Sequence, residues 1–202
     1  MTNPAAHGQP AFYDDLDLTL AHAFGLLERG VADRRSAFHQ ATVATVTADG
    51  LPAVRTVVLR GVDRRAPSIR FHTDRRSRKF AELSQRPAVA VHFYDHGHKV
   101  QLRLLGRAVL HAGDATTAAL WAGMREMSKA CYRQPQPPGL PVAAAAEIDA
   151  AQPLGDADGL LNFVAVEVRL ETLEWLYLAA RGHRRAVFDL ASSPPRGTWL
   201  AP

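Results

Sequence analysis

The chain has 202 residues, 47% of them hydrophobic, a single cysteine and a net charge of +4. That length and apolar share can bury a sizeable core, so one domain over residues 1–202 is expected. One cysteine excludes an intramolecular disulfide, a thiolate zinc site and a cysteine-held iron–sulfur cluster within the chain, which suits a reducing cytoplasm. No run has the apolar length of a membrane span, and the start lacks a basic segment followed by an apolar one, so a cytoplasmic protein without membrane contact is expected.

In chain order, Leu16, Leu20, Ala23, Phe24 and Leu27 recur at helical spacing, predicting an amphipathic helix over about 14–29 with Gly30 as its stop. Strands are predicted over Ala41–Thr47 and Pro52–Arg60, joined at Ala48-Asp-Gly50, then over Ser68–Thr73. A helix over Ser77–Gln85 follows, then strands over Ala88–Tyr94 and Lys99–His111. Asp114 can cap a helix running to about Lys129, and Tyr132–Leu140 is rich in Pro and Gln and reads as loop. Residues 142–159 are Ala-rich and weakly patterned, either a short helix or a mobile connector. The last strands fall at Asn162–Arg169, Glu174–Leu178 and His183–Leu190, and the tail from Ser192 is expected to be irregular. Roughly seven strands, mostly hairpin-connected, argue for a mainly β fold with flanking helices, an antiparallel barrel over about 41–190.

Two groups of residues carry chemistry. The first is Arg55-Thr-Val-Val-Leu-Arg60 followed by Phe71-His-Thr-Asp-Arg-Arg-Ser-Arg-Lys79. A strand followed by a hydroxyl-rich, Arg-rich turn into a helix gathers guanidinium, ammonium and backbone N–H groups around one dianion. A solvated helix face is the plainer explanation of Arg75, Arg76, Arg78 and Lys79 taken alone. Arg55 and Arg60 lie five apart, so they point to opposite faces unless a bulge intervenes.

The second group is Trp175, Arg181, His183 and Arg185, in the pattern Trp-x5-Arg-x-His-x-Arg. Positions 181, 183 and 185 share parity and would form one cationic face on a strand, or simply an edge strand protected by charge. His92, His96 and His98 gather at a hairpin, but a solvated turn explains them better than a metal site, and none is expected. The basic groups do not interleave with aromatics in a nucleic-acid-binding pattern, so that partner is not expected either.

Together, and in the same order along the chain, the two groups resemble the pyridoxamine 5′-phosphate oxidases, FMN enzymes built on a split β-barrel. The similarity runs over about 41–130 and again over 162–190. It implies that Arg55, Thr73, Ser77, Arg78 and Lys79 hold FMN, mostly at its phosphate, and that Gln101 contacts the flavin. Trp175 and Arg185 match two further FMN contacts, expected from the neighbouring subunit of a homodimer with FMN at its interface.

For a phosphorylated small-molecule substrate the resemblance implies Arg60 and Arg125 at the phosphate, Ser128, one residue away from the family serine, as a further substrate contact, and Arg181 and His183 flanking the pyridine ring in catalytic roles. Departures are Arg60 for a lysine, His72 for a tyrosine, Trp121 for a phosphate-binding tyrosine, and Asn162-Phe-Val-Ala165 for Trp-Gly-Gly-Phe. Gln134 and Gln136 match a further flavin contact loosely. The implied activity is oxidation of a phosphorylated pyridine amine or alcohol with oxygen as acceptor. The alternatives are an FMN reductase using NAD(P)H or another donor, and a non-catalytic FMN-binding protein.

Overall fold

The computed structural model describes residues 10–180 and 182–202. Helix α1 (Leu16–Ala32) is capped by Asp15, whose carboxylate accepts from the Leu18 N–H. Strands β1 (Gln40–Val46), β2 (Pro52–Asp63) and β3 (Ser68–Asp74) follow, then α2 (Arg78–Gln85), β4 (Ala88–Asp95) and β5 (Val100–His111). Next come α3 (Ala115–Ala122), α4 (Glu126–Lys129), α5 (Ala146–Ala150) and α6 (Asp156–Asn162). The chain ends with β6 (Phe163–Tyr177), β7 (Arg184–Asp189) and β8 (Arg196–Leu200).

The strands are antiparallel and ordered β3-β2-β1-β4-β5-β6-β7-β8, and β3 also pairs with β6. That pairing closes the first six into a barrel, as the sequence led us to expect, and leaves β7 and β8 as an extension along β6. Alternate residues fill the interior: Ala41 and Val43 of β1, Val57 and Leu59 of β2, Val91 and Phe93 of β4, and Leu102 and Leu104 of β5 are all buried. Helix α1 adds Phe24, Leu26 and Leu27 to the same core. A second, smaller cluster of Trp121, Phe163 and Ala165 lies under α3 and α6.

Several boundaries differ from expectation. Helix α1 runs through Gly30, which is not a stop: a Cβ there would stand 2.3 Å from the Phe38 carbonyl oxygen, so glycine admits the following turn against the helix. The helix expected over 114–129 breaks into α3 and α4 because Arg125 is extended. Residues 163–177 form one strand instead of two. The weak pattern between them is a bulge at Glu171, where the register passes from Leu105↔Thr172 to Gly106↔Leu170. The tail is regular as well, since β8 pairs with β7 from Arg185↔Leu200 to Asp189↔Arg196. A bulge also removes Arg60 from the β2–β3 register, between Leu59↔Phe71 and Gly61↔Arg70.

His72, on β3, packs edge-on to Phe163 at 4.9 Å, and its Nε2 is buried without a partner. Burial first, and then the charges of Arg60 and Arg70, push its pKa from 6.5 down to about 4. The native protein therefore holds it neutral where the unfolded chain would protonate it.

Two expectations follow. Gly106→Ala places a Cβ 2.1 Å from the Arg169 carbonyl oxygen at the bulge, and should cost about 3 kcal/mol or more in urea unfolding. The depressed pKa of His72 contributes stability that is complete above pH 6.5 and is lost as pH falls to about 4, an effect of roughly 3 kcal/mol. Unfolding midpoints measured across that window should fall less steeply in His72→Gln than in the parent chain.

Candidate functional site

The turn from β3 into α2 gathers the first group. Thr73 and Ser77 are buried and their hydroxyls lie 3.0 Å apart, while Lys79 Nζ donates to Thr73 Oγ1 at 3.1 Å. Ser77 is the N-cap of α2, yet its side chain makes no capping bond, so the first N–H groups of the helix stay open to a ligand. Arg78 is exposed at the first helical position. Burial, and next the charge of Arg55, lower the pKa of Lys79.

The two carboxylates whose charges act on this lysine, Glu82 and Asp74, are engaged elsewhere. Glu82 accepts from Arg55 Nη2 at 2.8 Å and from the Thr45 hydroxyl, and Asp74 is held by Arg76 at 2.8 and 3.0 Å. The Lys79 ammonium thus sits half-buried without an anionic partner among the described residues, next to free N–H groups and a free arginine. That donor set fits a phosphate dianion. Arg55 stands behind it, projecting to the inner side of the sheet at the register position of Val43. Its Nη1 donates to Thr45 Oγ1 and Ala53 O, which leaves Nε–H and one Nη2–H unspent.

Gln101 and Arg185 lie elsewhere but together. The register places Tyr94 beside Gln101, Gln101 beside Leu176, Leu176 beside Arg185 and Arg185 beside Leu200, so all of these project from the outer face. The Arg185 guanidinium is oriented by Glu174, at 2.9 and 3.0 Å. Trp175 faces the other way. It has the opposite parity, pairs with Ala186 and is fully buried, packed edge-on by Phe12 at 5.7 Å, with Nε1 lacking a partner. From that position it is a core residue and not a contact on the face of Arg185.

His183 precedes β7, which begins at Arg184, and so does not share a strand face with Arg185. Arg181 lies outside the described residues. His183 is exposed and lines a cleft of about 250 Å³ with Asp14, Arg184, Trp199, Leu200 and Pro202. Arg184 pairs with Asp14 at 2.9 Å and lies over the Tyr13 ring.

On the substrate side, Arg60 and Arg125 are exposed and form no ion pair among the described residues, and Ser128 is half-buried on α4. Trp121 is structural: its Nε1 donates to Asp156 at 3.0 Å, and Lys129 stands over its ring at 5.2 Å. Lys129 and Arg133 are matched by Glu126, at 3.1 and 2.9 Å.

Sequence reasoning missed Glu82, Thr45, Asp74 and Glu174, each of which engages a cation of the site. Only Asp74 had a local signal, an Asp three residues before the N-cap serine, where its carbonyl accepts the Ser77 N–H.

Residues 24–112 match the family model described as pyridoxamine 5′-phosphate oxidase, FMN-binding domain. The pyridoxine/pyridoxamine 5′-phosphate oxidase of Thermobifida fusca is 31% identical over 169 residues, covering 78% of this chain and 74% of that protein. The enzyme of the same name from Acaryochloris marina is 34% identical over 136 residues, covering 67% of this chain and 52% of that protein, so the match spans about half of its length. Two solved structures share the fold: a pyridoxamine 5′-phosphate oxidase-related, FMN binding protein from Nostoc punctiforme, and PhzG from Burkholderia lata 383 in complex with tetrahydrophenazine-1-carboxylic acid. The first has a TM-score of 0.75 at 21% identity, over 96% of this chain and all of that one; the second has 0.73 at 22%, over 98% and 99%. From the strand order and these relatives together, the chain belongs to the pyridoxamine 5′-phosphate oxidase family of FMN-binding split-barrel proteins.

Proposed function

We propose that this chain is an FMN-dependent oxidoreductase that oxidises an amine or alcohol carbon beside a phosphorylated pyridine ring, with oxygen as acceptor. The observation that carries the reading is the half-buried Lys79 ammonium, without an anionic partner among the described residues, beside the uncapped start of α2. Thr73, Ser77, Arg78 and Lys79 would hold the flavin phosphate, with Arg55 supplying charge from behind. FMN, when bound, supplies the hydride-accepting chemistry, so the chain needs no nucleophile of its own. Arg60 and Arg125, exposed and free of acidic partners among the described residues, would hold the substrate phosphate, with Ser128 nearby on α4. Because the Trp121 N–H is spent on Asp156, that handle rests on the two arginines. His183 would orient or polarise the ring, with Arg181 holding it in register. A cytoplasmic location accompanies this reading, in keeping with the lone thiol.

A homodimer with FMN at its interface belongs to the same proposal. Arg55 and Thr73 serve the inner side of the barrel rim whereas Gln101 and Arg185 project from the outer face, so one flavin meets both sets most simply when a second copy presents its outer face. That face carries an apolar row, Val54 beside Ala44, Ala44 beside Ala90 and Ala90 beside Leu105. Val54 and Leu105 are 63% and 49% exposed in the single chain, which is costly surface to leave in water.

The purified protein should show a bound-flavin absorption spectrum once FMN is added, and anaerobic pyridoxine 5′-phosphate should bleach it. Bound flavin that stays oxidised would move the function to an NAD(P)H-dependent reductase or a carrier, and a chain that binds no flavin would sink the proposal. A charge-assisted phosphate contact is worth roughly 1.5–3 kcal/mol, so Arg78→Ala should weaken FMN by about one to two orders of magnitude in a fluorescence titration. Light scattering should give twice the 22.0 kDa chain mass, and Leu105→Arg should shift the protein to monomer and weaken FMN with it.

A further inference from the structure

Strand β6 ends at Tyr177 and β7 begins at Arg184, so His183 lies in a turn beyond the ladder. Both of its neighbours are nevertheless tied to two consecutive residues ahead of α1. Gly182 O accepts from the hydroxyl of the buried Tyr13 at 2.7 Å, and Arg184 Nε donates to Asp14 at 2.9 Å. The Arg184 guanidinium also lies over the Tyr13 ring, 4.1 Å from its centroid, and its Nη1 donates to the His183 carbonyl at 3.2 Å. Gly182 has a φ of 128°, which glycine adopts without the steric cost a side chain would meet. The anchor is itself fixed: the Tyr13 N–H donates to Pro10 O at 2.9 Å, the Thr19 hydroxyl donates to Phe12 O at 2.6 Å, and Asp15 is the N-cap of α1. Through α1 it is joined to the barrel core.

An exposed side chain on a turn is placed precisely only if the backbone beneath it cannot drift. Here the residues immediately before and after His183 are held by a hydroxyl bond, a charge-assisted bond and a ring contact, while the exposed imidazole lines the cleft beside Trp199. We propose that Tyr13 and Asp14 are positioning residues that hold the turn between β6 and β7 and so fix where the His183 imidazole meets the substrate ring. This rests on the reading that His183 orients or polarises that ring. Both residues act through His183 and lie apart from the turn before α2, so their effect belongs to reaction geometry, where a displacement of about 1 Å can cost roughly 100-fold in rate.

The test is Tyr13→Phe, which keeps the ring, and Asp14→Asn, which keeps the shape, each in the full chain with thermal unfolding to confirm folding. Without flavin, amide hydrogen exchange over residues 178–184 should quicken about tenfold in each, as expected when local protection is lost. Loaded with FMN, whose affinity should stay within about twofold, each variant should have its flavin reduced about tenfold more slowly by saturating pyridoxine 5′-phosphate. In a His183→Ala background the same substitutions should change that rate by less than about twofold, because the group they position is gone. Unchanged exchange in both variants would overturn the tie. Slowing by the same factor with and without His183 would overturn the positioning role, and so would faster exchange with an unchanged rate. An unsubstituted chain whose bound flavin is not reduced by pyridoxine 5′-phosphate would show instead that the reading beneath the proposal has failed, and the proposal with it.

Discussion

Barrel closure rests on the pairing of β3 with the first half of β6, seven residues from Ser68↔Arg169 to Asp74↔Phe163. Without it the β3-β2-β1-β4-β5-β6 sheet would expose two long edges and an interior of Val, Leu and Phe to water. With it, β3 ends at a defined height, and the turn carrying Thr73, Asp74 and Ser77 is delivered to the barrel rim where α2 begins. The same strand continues past the Glu171 bulge to pair with β7, so β6 sets the position of the cationic turn at one end and of Arg185 at the other.

Charge is apportioned unevenly at that rim. Arg55 and Arg76 each have a carboxylate at 2.8 Å, Glu82 and Asp74 respectively. Among the described residues Lys79 has only a hydroxyl, and burial together with the charge of Arg55 disfavours its charged form. In protein interiors a cation left so is either destabilising or reserved for an anion that arrives later. Two arginines are spent on building the turn, and the neighbouring lysine and Arg78 are left without a carboxylate among the described residues. A uniform run of basic residues in the sequence thus divides into structural and available charges once the carboxylates are placed.

The site was legible in sequence to the extent that its residues are local. Thr73, Ser77, Arg78 and Lys79 fall within seven positions, and a strand, a turn and a helix start must bring them together. The spacing of Arg55 and Arg60 implied opposite faces unless a bulge intervened, and a bulge is present at Arg60. The pairing of Gln101 with Arg185 across Leu176 was not legible, because it depends on three strands and two registers. The orientation of Trp175 was not legible for the same reason: its motif partners lie nearby in sequence, but strand parity turns it into the core while Arg185 turns out. The break in the helix at Arg125, the continuity of β6 and the order in β8 were missed where residue pattern is weak and pairing with a neighbour decides.

By itself the sequence determined the class of fold, through period-two burial in short runs bounded by turns, and the presence of one concentrated cationic turn, through residues close enough along the chain to be neighbours in any conformation. Tertiary structure decided which cations are neutralised, which face each motif residue serves, and that the turn between β6 and β7 is tied to Tyr13 and Asp14. Those outcomes depend on partners such as Glu82, Glu174 and Asp14, and carboxylates 27, 11 and 170 residues from the groups they engage leave no periodic signal, since only the closed barrel with α1 packed on it brings them within bonding distance.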